Sequence, residues 1–331
     1  MAIPGIESVV YGVDDIELCT RYFIDFGLSL TETTPDLRVF RLPEGSSVVL
    51  RTVNDPKLPG AVISGTGVRE TIWGVDSQRS LDTLAEDLSR DRGVYIDEGG
   101  TAHFLTDCGL AMGLRVYHRK DVTYAPDPIN APGRVNRVNQ TRKWHKRAYP
   151  KTLNHVVFGV LDYWETAAFF KDRLGFRLSD HQKGVGVYMR ADGAHEHHNI
   201  FFLNCNAPGI GGKPCFHHVN FGVEDIDELM VGYNYMMRRG WQQGFLGNGR
   251  HRISSSLFCY LASPAGGEIE YGTDGDYLDD NWVPREWEFR FGVASWMQSP
   301  PAFMQDEPEW DVQFYKELPP SAADERKPPK R

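Results

Sequence analysis

The segment NHVVFGVLD, residues 154–162, contains an aromatic-Gly-Val triplet followed closely by Asp, and this pattern occurs four times in the chain. The other copies are YGVD at 11–14, WGVD at 73–76 and FGVED at 221–225. The glycines of successive copies are 62, 85 and 63 residues apart, so the copies form two pairs with a longer joint between them. Similarity at a regular spacing is typical of a chain built from repeated structural units.

Each copy closes a short β-branched and aromatic run of strand character, such as SVVY at 8–11. A helix is expected next, because the Asp can cap its first turn. Apolar residues recur at three-to-four spacing over 164–174 and 226–239, and glycine ends both patterns, at Gly175 and Gly240. Further short strands follow. The sequence therefore predicts an α+β fold of four βαβββ modules, paired into two domains that each form a cup-like open barrel of mixed strands.

Composition divides the 331 residues into three parts. Residues 124–150 hold several prolines and then a short cationic stretch, which is typical of an interdomain linker with a solvated face. We expect an N-terminal domain with its linker over 1–145 and a C-terminal catalytic domain over 146–296. The Pro-rich, charged residues 297–331 are expected to form an extended or disordered tail.

The charge balance excludes several partners. The chain has 45 acidic and 36 basic residues, so it offers no broad basic surface for nucleic acid or an anionic membrane. No apolar run approaches the roughly 20 residues of a membrane span, and the first residues lack the features of a secretory signal. The five cysteines are scattered without a C-x-x-C pair, which indicates reduced thiols. We therefore expect a cytoplasmic protein.

Histidines are concentrated in the second half, where eight of the eleven lie between positions 155 and 251. Aligning the repeats places His155 over Ser8 and His218 over Glu70, so two equivalent strands carry a histidine at one position. Neighbouring strand residues face opposite ways, which predicts that His217 and His218 cannot both point into one site. The match to His155 selects His218.

A carboxylate completes this candidate set. Aligning the ends of the two halves pairs Glu270 with Gly113, so the N-terminal half lacks the ligands and its domain is expected to hold no metal. Two imidazoles and one carboxylate on three strands form the facial arrangement that suits Fe(II) in oxygen chemistry. Glu268 lies on the same strand face as Glu270, so alternation leaves both carboxylates open.

These residues resemble the type I extradiol ring-cleavage dioxygenases of the vicinal oxygen chelate superfamily. The resemblance rests on GRH at 249–251, YLASPAG at 260–266 and then Glu270. The sequence departs from the family pattern at Cys259 and Ser263, neither of which is a ligand position.

The resemblance spans about residues 5–290 and implies a metal site in the C-terminal domain alone. It implies Fe(II), with Mn(II) possible, bound by His155, His218 and Glu270. It thereby favours Glu270 over Glu268.

Three further side chains match functional positions of that family. His198, the second histidine of the HHNI segment, matches a catalytic acid/base group, and His251 and Tyr260 match groups beside the substrate hydroxyls. Ile253 stands where the biphenyl-diol branch has Asn, which leaves the substrate open. Four other histidines are expected to lie in loops, on the surface or away from the site, with no catalytic role: His181, His195, His197 and His217.

The resemblance implies an enzyme that cleaves a catecholic ring adjacent to its diol and inserts both atoms of O2. Its partners would be a small catecholic substrate and O2, with no nucleic acid or membrane, and it would be a homo-oligomer in aromatic catabolism. A glyoxalase-like lyase or isomerase using another divalent metal without O2 is the alternative on this scaffold. A non-catalytic module of the bleomycin-sequestering kind is a second alternative, although such modules are much shorter.

Overall fold

The structure, a computed structural model, describes residues 2–305 and, for the backbone alone, Val312–Phe314. The expected α+β class is confirmed, because the strands form two mixed sheets, one from each half of the chain. No helix in the described part of the chain is both long and apolar enough to cross a membrane. The predicted tail beyond Gln305 lies outside the described residues, apart from that one short strand.

The first half forms an eight-stranded sheet with two helices. Its elements are β1 (Gly5–Val13), α1 (Ile16–Phe26), β2 (Ser29–Thr34), β3 (Leu37–Arg41), β4 (Ser47–Thr52), β5 (Gly67–Val75), α2 (Gln78–Ser89), β6 (Val94–Ile96), β7 (Ala102–Leu105) and β8 (Ala111–Val116). The strand order is β2-β3-β4-β1-β5-β8-β7-β6. The edge strands β2 and β6 are not neighbours, so this sheet is open.

The second half repeats this plan and adds short elements at its end. Its elements are β9 (Thr152–Val160), α3 (Tyr163–Leu174), β10 (Arg177–Gln182), β11 (Gly186–Arg190), β12 (Ile200–Asn204), β13 (Cys215–Gly222), α4 (Ile226–Arg238), β14 (Gln243–Arg250), β15 (Leu257–Ala262), β16 (Glu268–Thr273), β17 (Arg285–Trp287), α5 (Phe289–Val293), β18 (Trp296–Met297) and β19 (Val312–Phe314). The strand order is β18-β14-β15-β16-β13-β9-β12-β11-β10-β17-β19.

The four predicted modules are visible in the strand pairing. In each module the first strand pairs in parallel with the last, as β9 does with β12 and β13 with β16. The two modules of each half meet through antiparallel first strands, β1 with β5 and β9 with β13. Matching rows across three neighbouring strands hold Ser8, Ile72 and Gly113 in the first sheet and His155, Asn220 and Glu270 in the second. The register therefore reproduces the repeat alignment.

The helices begin where short polar side chains can accept the free N–H groups of the first turn. Asp162 and Asp225 cap α3 and α4 as predicted, accepting the N–H of the third residue on. In the first half the cap is the residue after the motif's Asp, namely Asp15 or Ser77. Gly175 ends α3 in the left-handed conformation, which favours glycine.

The glycine of the repeated triplet makes room for a neighbouring side chain. A Cβ on Gly74 would lie 2.4 Å from the ring of Tyr117, and one on Gly159 would lie 2.8 Å from Cys215 Sγ. These separations are shorter than any real Cβ contact, so the motif requires glycine for close packing.

The two sheets share one hydrophobic core. Trp73 of the first half meets Phe176 of the second at 4.8 Å between ring centroids, and Phe26 stacks on Tyr271 at 4.0 Å. The Tyr271 hydroxyl also donates a 2.7 Å hydrogen bond to the Phe26 carbonyl. The second sheet is therefore held against the first by aromatic packing as well as by the covalent joint.

Residues 117–151 join the halves without a helix or strand. From this joint Arg119 reaches Glu44 of the first half at 2.7 Å and Glu196 of the second at 2.5 Å. Glu44 is only 1% exposed, so its carboxylate depends on this guanidinium for compensation of its charge.

Candidate metal centre and active site

A cavity of about 150 Å³ lies on the second sheet and is lined by most of that sheet's strands. All six site residues predicted from the sequence line it: His155, His198, His218, His251, Tyr260 and Glu270. Since these residues come from separate strands and loops, the sheet must curve around the cavity.

Three of these side chains converge on one point. His155 on β9 and His218 on β13 have their Nε2 atoms 3.2 Å apart. Glu270 on β16 has its Oε2 atom 3.3 Å from each of them. The three strands are neighbours in the sheet, and all three side chains are at least nine-tenths buried.

This triangle fits a divalent metal ion. The circle through its corners has a radius of about 1.9 Å, so one ion can reach all three atoms at ordinary bond lengths of about 2.0–2.2 Å. Glu270 Oε2 is buried and has no hydrogen-bond partner, which is costly for a carboxylate oxygen unless a cation is near.

The protonation states agree with a metal site. Burial lowers the pKa of His155 to about 4, which leaves its ring neutral with a free lone pair. Burial acts to raise the pKa of Glu270, but the two imidazoles beside it outweigh that effect and hold the pKa well below its usual range. Imidazoles and a carboxylate are ligands for first-row transition metals.

Glu268 does not join the triangle. Its Oε1 accepts a 2.5 Å hydrogen bond from the backbone N–H of Phe245, and burial raises its pKa. Of the two carboxylates that strand alternation left open, only the one from Glu270 therefore lies in the triangle.

The prediction that His217 and His218 cannot share a site is wrong. A β-bulge separates Phe216 from His218 in the pairing with β9, so strand alternation is broken there. Both histidine rings line the cavity, with their Nδ1 atoms 2.7 Å apart. One Nδ1 must donate to the other, and this hydrogen bond can orient the His218 ring with its Nε2 toward the triangle.

His198 lies just before β12 and stacks on His155, with 4.1 Å between the ring centroids. Burial lowers its pKa well below the ordinary value, with the neighbouring histidines acting in the same direction. The ring is therefore neutral at physiological pH, with one nitrogen lone pair available beside the triangle.

His197 lies in a loop, as the sequence predicted, but its side chain is buried beside the site. It is 3% exposed, its Nδ1 is 3.1 Å from His198 Nδ1, and its Nε2 is 3.1 Å from Asp180 Oδ2. His181, expected at the surface, is also buried. One signal in the sequence could have pointed to His197 and His217. Each of them directly precedes a histidine that was predicted to be functional.

His251 and Tyr260 form a second hydrogen-bonded pair in the cavity. His251 Nδ1 lies 2.5 Å from the Val293 carbonyl, which can only accept, so this nitrogen carries the proton. Its Nε2 then accepts from the Tyr260 hydroxyl at 3.3 Å. Burial and the nearby Glu270 raise the pKa of Tyr260 well above its ordinary value, so the phenol keeps its proton as a donor.

The matching positions of the first sheet are occupied differently. Glu70 Oε1 accepts a 2.6 Å hydrogen bond from His103 Nδ1, and His103 Nε2 lies 3.2 Å from Asp97. Within residues 2–305, no three-residue grouping of metal-binding side chains falls on this sheet. In that range, the first half therefore repeats the scaffold without the ligand set.

Comparison with known proteins agrees with this geometry. Residues 152–242 match the family model described as Glyoxalase/Bleomycin resistance protein/Dioxygenase superfamily. Metapyrocatechase 2 of Cupriavidus necator is 27% identical over 279 residues, which are 84% of this chain and 83% of that protein. An iron-dependent extradiol dioxygenase of Rhodococcus jostii is 29% identical over 148 residues, covering 40% of this chain and 47% of its own.

The fold recurs in solved structures. The Mn(II)-bound glyoxalase of Novosphingobium aromaticivorans has a TM-score of 0.70 over 93% of this chain and 95% of its own, at 20% identity. Residues 152–242 are thus similar to the glyoxalase/bleomycin resistance/dioxygenase superfamily, and the fold of the chain recurs in a solved glyoxalase. Within that class, the resemblance to the extradiol dioxygenases that the sequence motifs predicted is confirmed by the named relatives.

Proposed function

We propose that this chain is an Fe(II)-dependent extradiol dioxygenase that cleaves a catecholic ring next to its two hydroxyls and inserts both atoms of O2. The observation that carries the proposal is the convergence of His155, His218 and Glu270 in a cavity that also contains His198, His251 and Tyr260. The proposal includes a cytoplasmic, homo-oligomeric enzyme of aromatic catabolism, as the resemblance implies.

His155, His218 and Glu270 are assigned as the metal ligands. When bound there, Fe(II) would bring the diol and O2 together and lower the pKa of the substrate hydroxyls. Mn(II) suits the same donor set, because it also accepts imidazole and carboxylate ligands.

His198 is assigned as the acid/base. Ring cleavage breaks one ring C–C bond and the O–O bond and forms two C–O bonds, and the product contains all the hydrogen atoms of the diol. A side chain that removes a hydroxyl proton must therefore return it. The neutral His198 ring, held against His155, can perform both steps.

His251 and Tyr260 are assigned as groups that orient the diol. When the Tyr260 hydroxyl turns from His251 Nε2 to a substrate oxygen, that nitrogen is free to accept from a substrate hydroxyl, because His251 Nδ1 donates to Val293. Tyr260 keeps its phenolic proton and can donate it to an oxygen on which negative charge develops. The apolar walls around them exclude water and strengthen these hydrogen bonds.

The test is oxygen uptake by protein reconstituted anaerobically with Fe(II) and then mixed with oxygen and a panel of catechols. We expect consumption of one O2 for each diol and the growth of a coloured ring-opened product. A glyoxalase-like enzyme would leave O2 untouched. If verified iron is bound and no diol in the panel consumes oxygen, the proposal fails.

A further inference from the structure

The wall of the cavity beyond the triangle includes a segment that follows the last strand of the fourth module. Residues 289–304, called here the C-terminal segment, contribute five lining side chains: Phe289, Val293, Pro301, Phe303 and Met304. The tail expected from the sequence begins at residue 297, within this segment. Its residues 297–304 instead lie against the second sheet.

The C-terminal segment is fixed in place by main-chain and aromatic contacts. Trp296–Met297 pairs with β14 as an edge strand, and the Gln298 N–H donates to the Asn248 carbonyl at 2.7 Å. The rings of Phe289 and Phe303 stack with 5.7 Å between their centroids. The C-terminal segment is therefore an integral part of the cavity wall.

The opposite wall is apolar as well. It consists of aliphatic and aromatic side chains from the second sheet and the loops between its strands: Val157, Val185, Phe201, Leu203, Ile210 and Ile253. Among the described residues that line the cavity there is no Lys or Arg. A carboxylate substituent on the ring would lose its hydration here without gaining a cation, which is strongly unfavourable.

The size of the cavity limits the substrate further. Its volume is about 150 Å³, and an apolar cavity of that size holds a molecule as large as benzene. A second aryl ring would need about as much space again. On the side of the C-terminal segment the space therefore matches one ring with a compact substituent, whereas at His155, His198, Ser254 and Ser256 the cavity adjoins a larger one of about 700 Å³.

We propose that the substrate is an uncharged monocyclic catechol with a compact apolar substituent such as a short alkyl chain, and that the C-terminal segment sets the size limit. This inference rests on the proposed dioxygenase function. Phe303 and Phe289 are the specificity-determining residues, because their stacked rings occupy the space that a larger substituent would need.

The first test compares kcat/KM for 3-methylcatechol, 3-ethylcatechol, 2,3-dihydroxybiphenyl and 3,4-dihydroxyphenylacetate with the iron-loaded protein. We expect the alkylcatechols to exceed the other two by at least about tenfold. Equal or better use of the biaryl or the acid would overturn the substrate class while leaving the reaction intact. Absence of oxygen uptake with every diol would instead refute the dioxygenase function itself.

The second test changes the wall. Phe303→Ala, and separately Phe289→Ala, should raise the ratio of kcat/KM for 2,3-dihydroxybiphenyl to that for 3-methylcatechol by about tenfold. Each substitution removes one of the two rings that occupy the space of a larger substituent. Trp296→Ala is the matched control, since that side chain lies on the same segment, is 48% exposed and does not line the cavity. An unchanged ratio in both Phe variants, or an equal rise in the control, would refute the role of the segment.

A second inference rests on a different observation, the buried pair Asp180 and His197. Asp180 is 1% exposed and accepts hydrogen bonds from the Arg285 N–H at 2.7 Å and the Trp287 indole at 2.9 Å. His197 Nε2 lies 3.1 Å from the same carboxylate, and His197 Nδ1 lies 3.1 Å from His198 Nδ1. Three side chains thus form a continuous chain that ends at the proposed acid/base.

The hydrogen-bonding capacities of these groups determine where the protons lie. A carboxylate only accepts, so His197 Nε2 carries a proton and donates it to Asp180. Of the two directions that the 3.1 Å contact between the Nδ1 atoms allows, the one in which His198 donates leaves His197 Nδ1 as the acceptor. We infer that Asp180 and His197 are positioning residues, which hold His198 with its Nδ1 protonated and its Nε2 free to take a substrate proton. This inference also rests on the proposed function.

His197→Phe keeps a ring of similar shape but removes both nitrogens. We expect kcat to fall about 10- to 100-fold, with bound iron and the anaerobic affinity for the diol unchanged. His197→Asn should recover part of the loss, because its amide can still accept from His198. His197→Leu repeats the first comparison if the Phe variant does not fold.

The exposed His195→Asn is the control and should behave as the unchanged protein does. Full kcat in the Phe or Leu variant, or an Asn variant no more active than these, would contradict the inference. A loss of iron in step with kcat would show a purely structural effect and would contradict it too.

Discussion

At the scale of single residues, the site depends on one carboxylate oxygen and two ring nitrogens that face one another inside the protein. Glu270 Oε2 is buried without a hydrogen bond, and the two Nε2 atoms lie 3.2 Å apart. Such an arrangement is costly without an ion and favourable with one. The metal should therefore bind tightly and depend on each of the three side chains.

His155→Ala, His218→Ala and Glu270→Gln should each reduce bound iron from about one ion per chain to background, because each removes a third of the protein ligands. Metal analysis after desalting measures this directly. Glu268→Gln is the matched control, since it lies on the same strand face but outside the triangle, and it should retain iron. Loss of iron in the Glu268 variant with retention in the Glu270 variant would show that the ligand has been misassigned.

His198→Phe should retain iron and lower turnover by about 10²- to 10⁴-fold, the usual contribution of a general acid/base. The ring contact with His155 can persist, so the metal site is expected to survive. Single-turnover oxygen reaction with a preformed anaerobic diol complex separates this loss from weaker substrate binding. Full activity would remove His198 from the proposed chemistry.

The sequence could predict the residues that bear an alignable pattern. His155 and His218 were identified because the repeats place them at one position, and Glu270 because a family motif surrounds it. His197 and His217 were missed for physical reasons. The partner of His197, Asp180, is distant along the chain, and the β-bulge beside His217 breaks the alternation on which the prediction relied.

At the scale of elements, the glycine of the repeated triplet allows a neighbouring side chain to pack closely against the strand. Gly74→Ala would bring a Cβ to 2.4 Å from Tyr117, in a site with no free space, and should lower the free energy of unfolding by about 1–3 kcal/mol. Denaturation by urea provides the measurement.

Gly93→Ala is the matched control, because no atom lies within 4 Å of a Cβ built there. We expect a change of less than about 0.5 kcal/mol for it, as for most surface substitutions. Equal effects of the two substitutions would mean that close packing is not the reason for glycine in the motif.

Local signals predicted the strands and helices of the modules well, because each module carries its own cap, periodicity and terminating glycine. The C-terminal segment could not be predicted in this way. Its two prolines, Pro300 and Pro301, are typical of a tail, whereas its position depends on pairing between Trp296–Met297 and β14 and on contacts with the cavity. Long-range pairing of so short a strand leaves no periodic pattern in the sequence.

At the scale of the whole molecule, two sheets of one plan share a core, and the three converging side chains His155, His218 and Glu270 lie on the second sheet. We propose the division into domains at 1–145 and 146–296, with residues 117–145 of the joint as part of the first. Arg119, which belongs to this joint, binds a carboxylate from each half.

Arg119→Met should therefore lower the free energy of unfolding by about 3–5 kcal/mol, because it leaves the buried Glu44 carboxylate without its cation. Thermal and urea unfolding would both report the loss. The exposed Arg134→Met, in the same joint, should change stability little. Similar stabilities of the two variants would indicate that Glu44 is compensated in another way.

The central claim is that both atoms of O2 enter the ring-opened product. The most direct measurement is mass spectrometry of the product formed by the Fe(II)-loaded protein from 3-methylcatechol under ¹⁸O2, trapped before carbonyl exchange with water. The structure and the sequence predict two labelled oxygen atoms in each product molecule. One labelled atom, or a product formed without consumption of oxygen, would contradict the assignment as an extradiol dioxygenase.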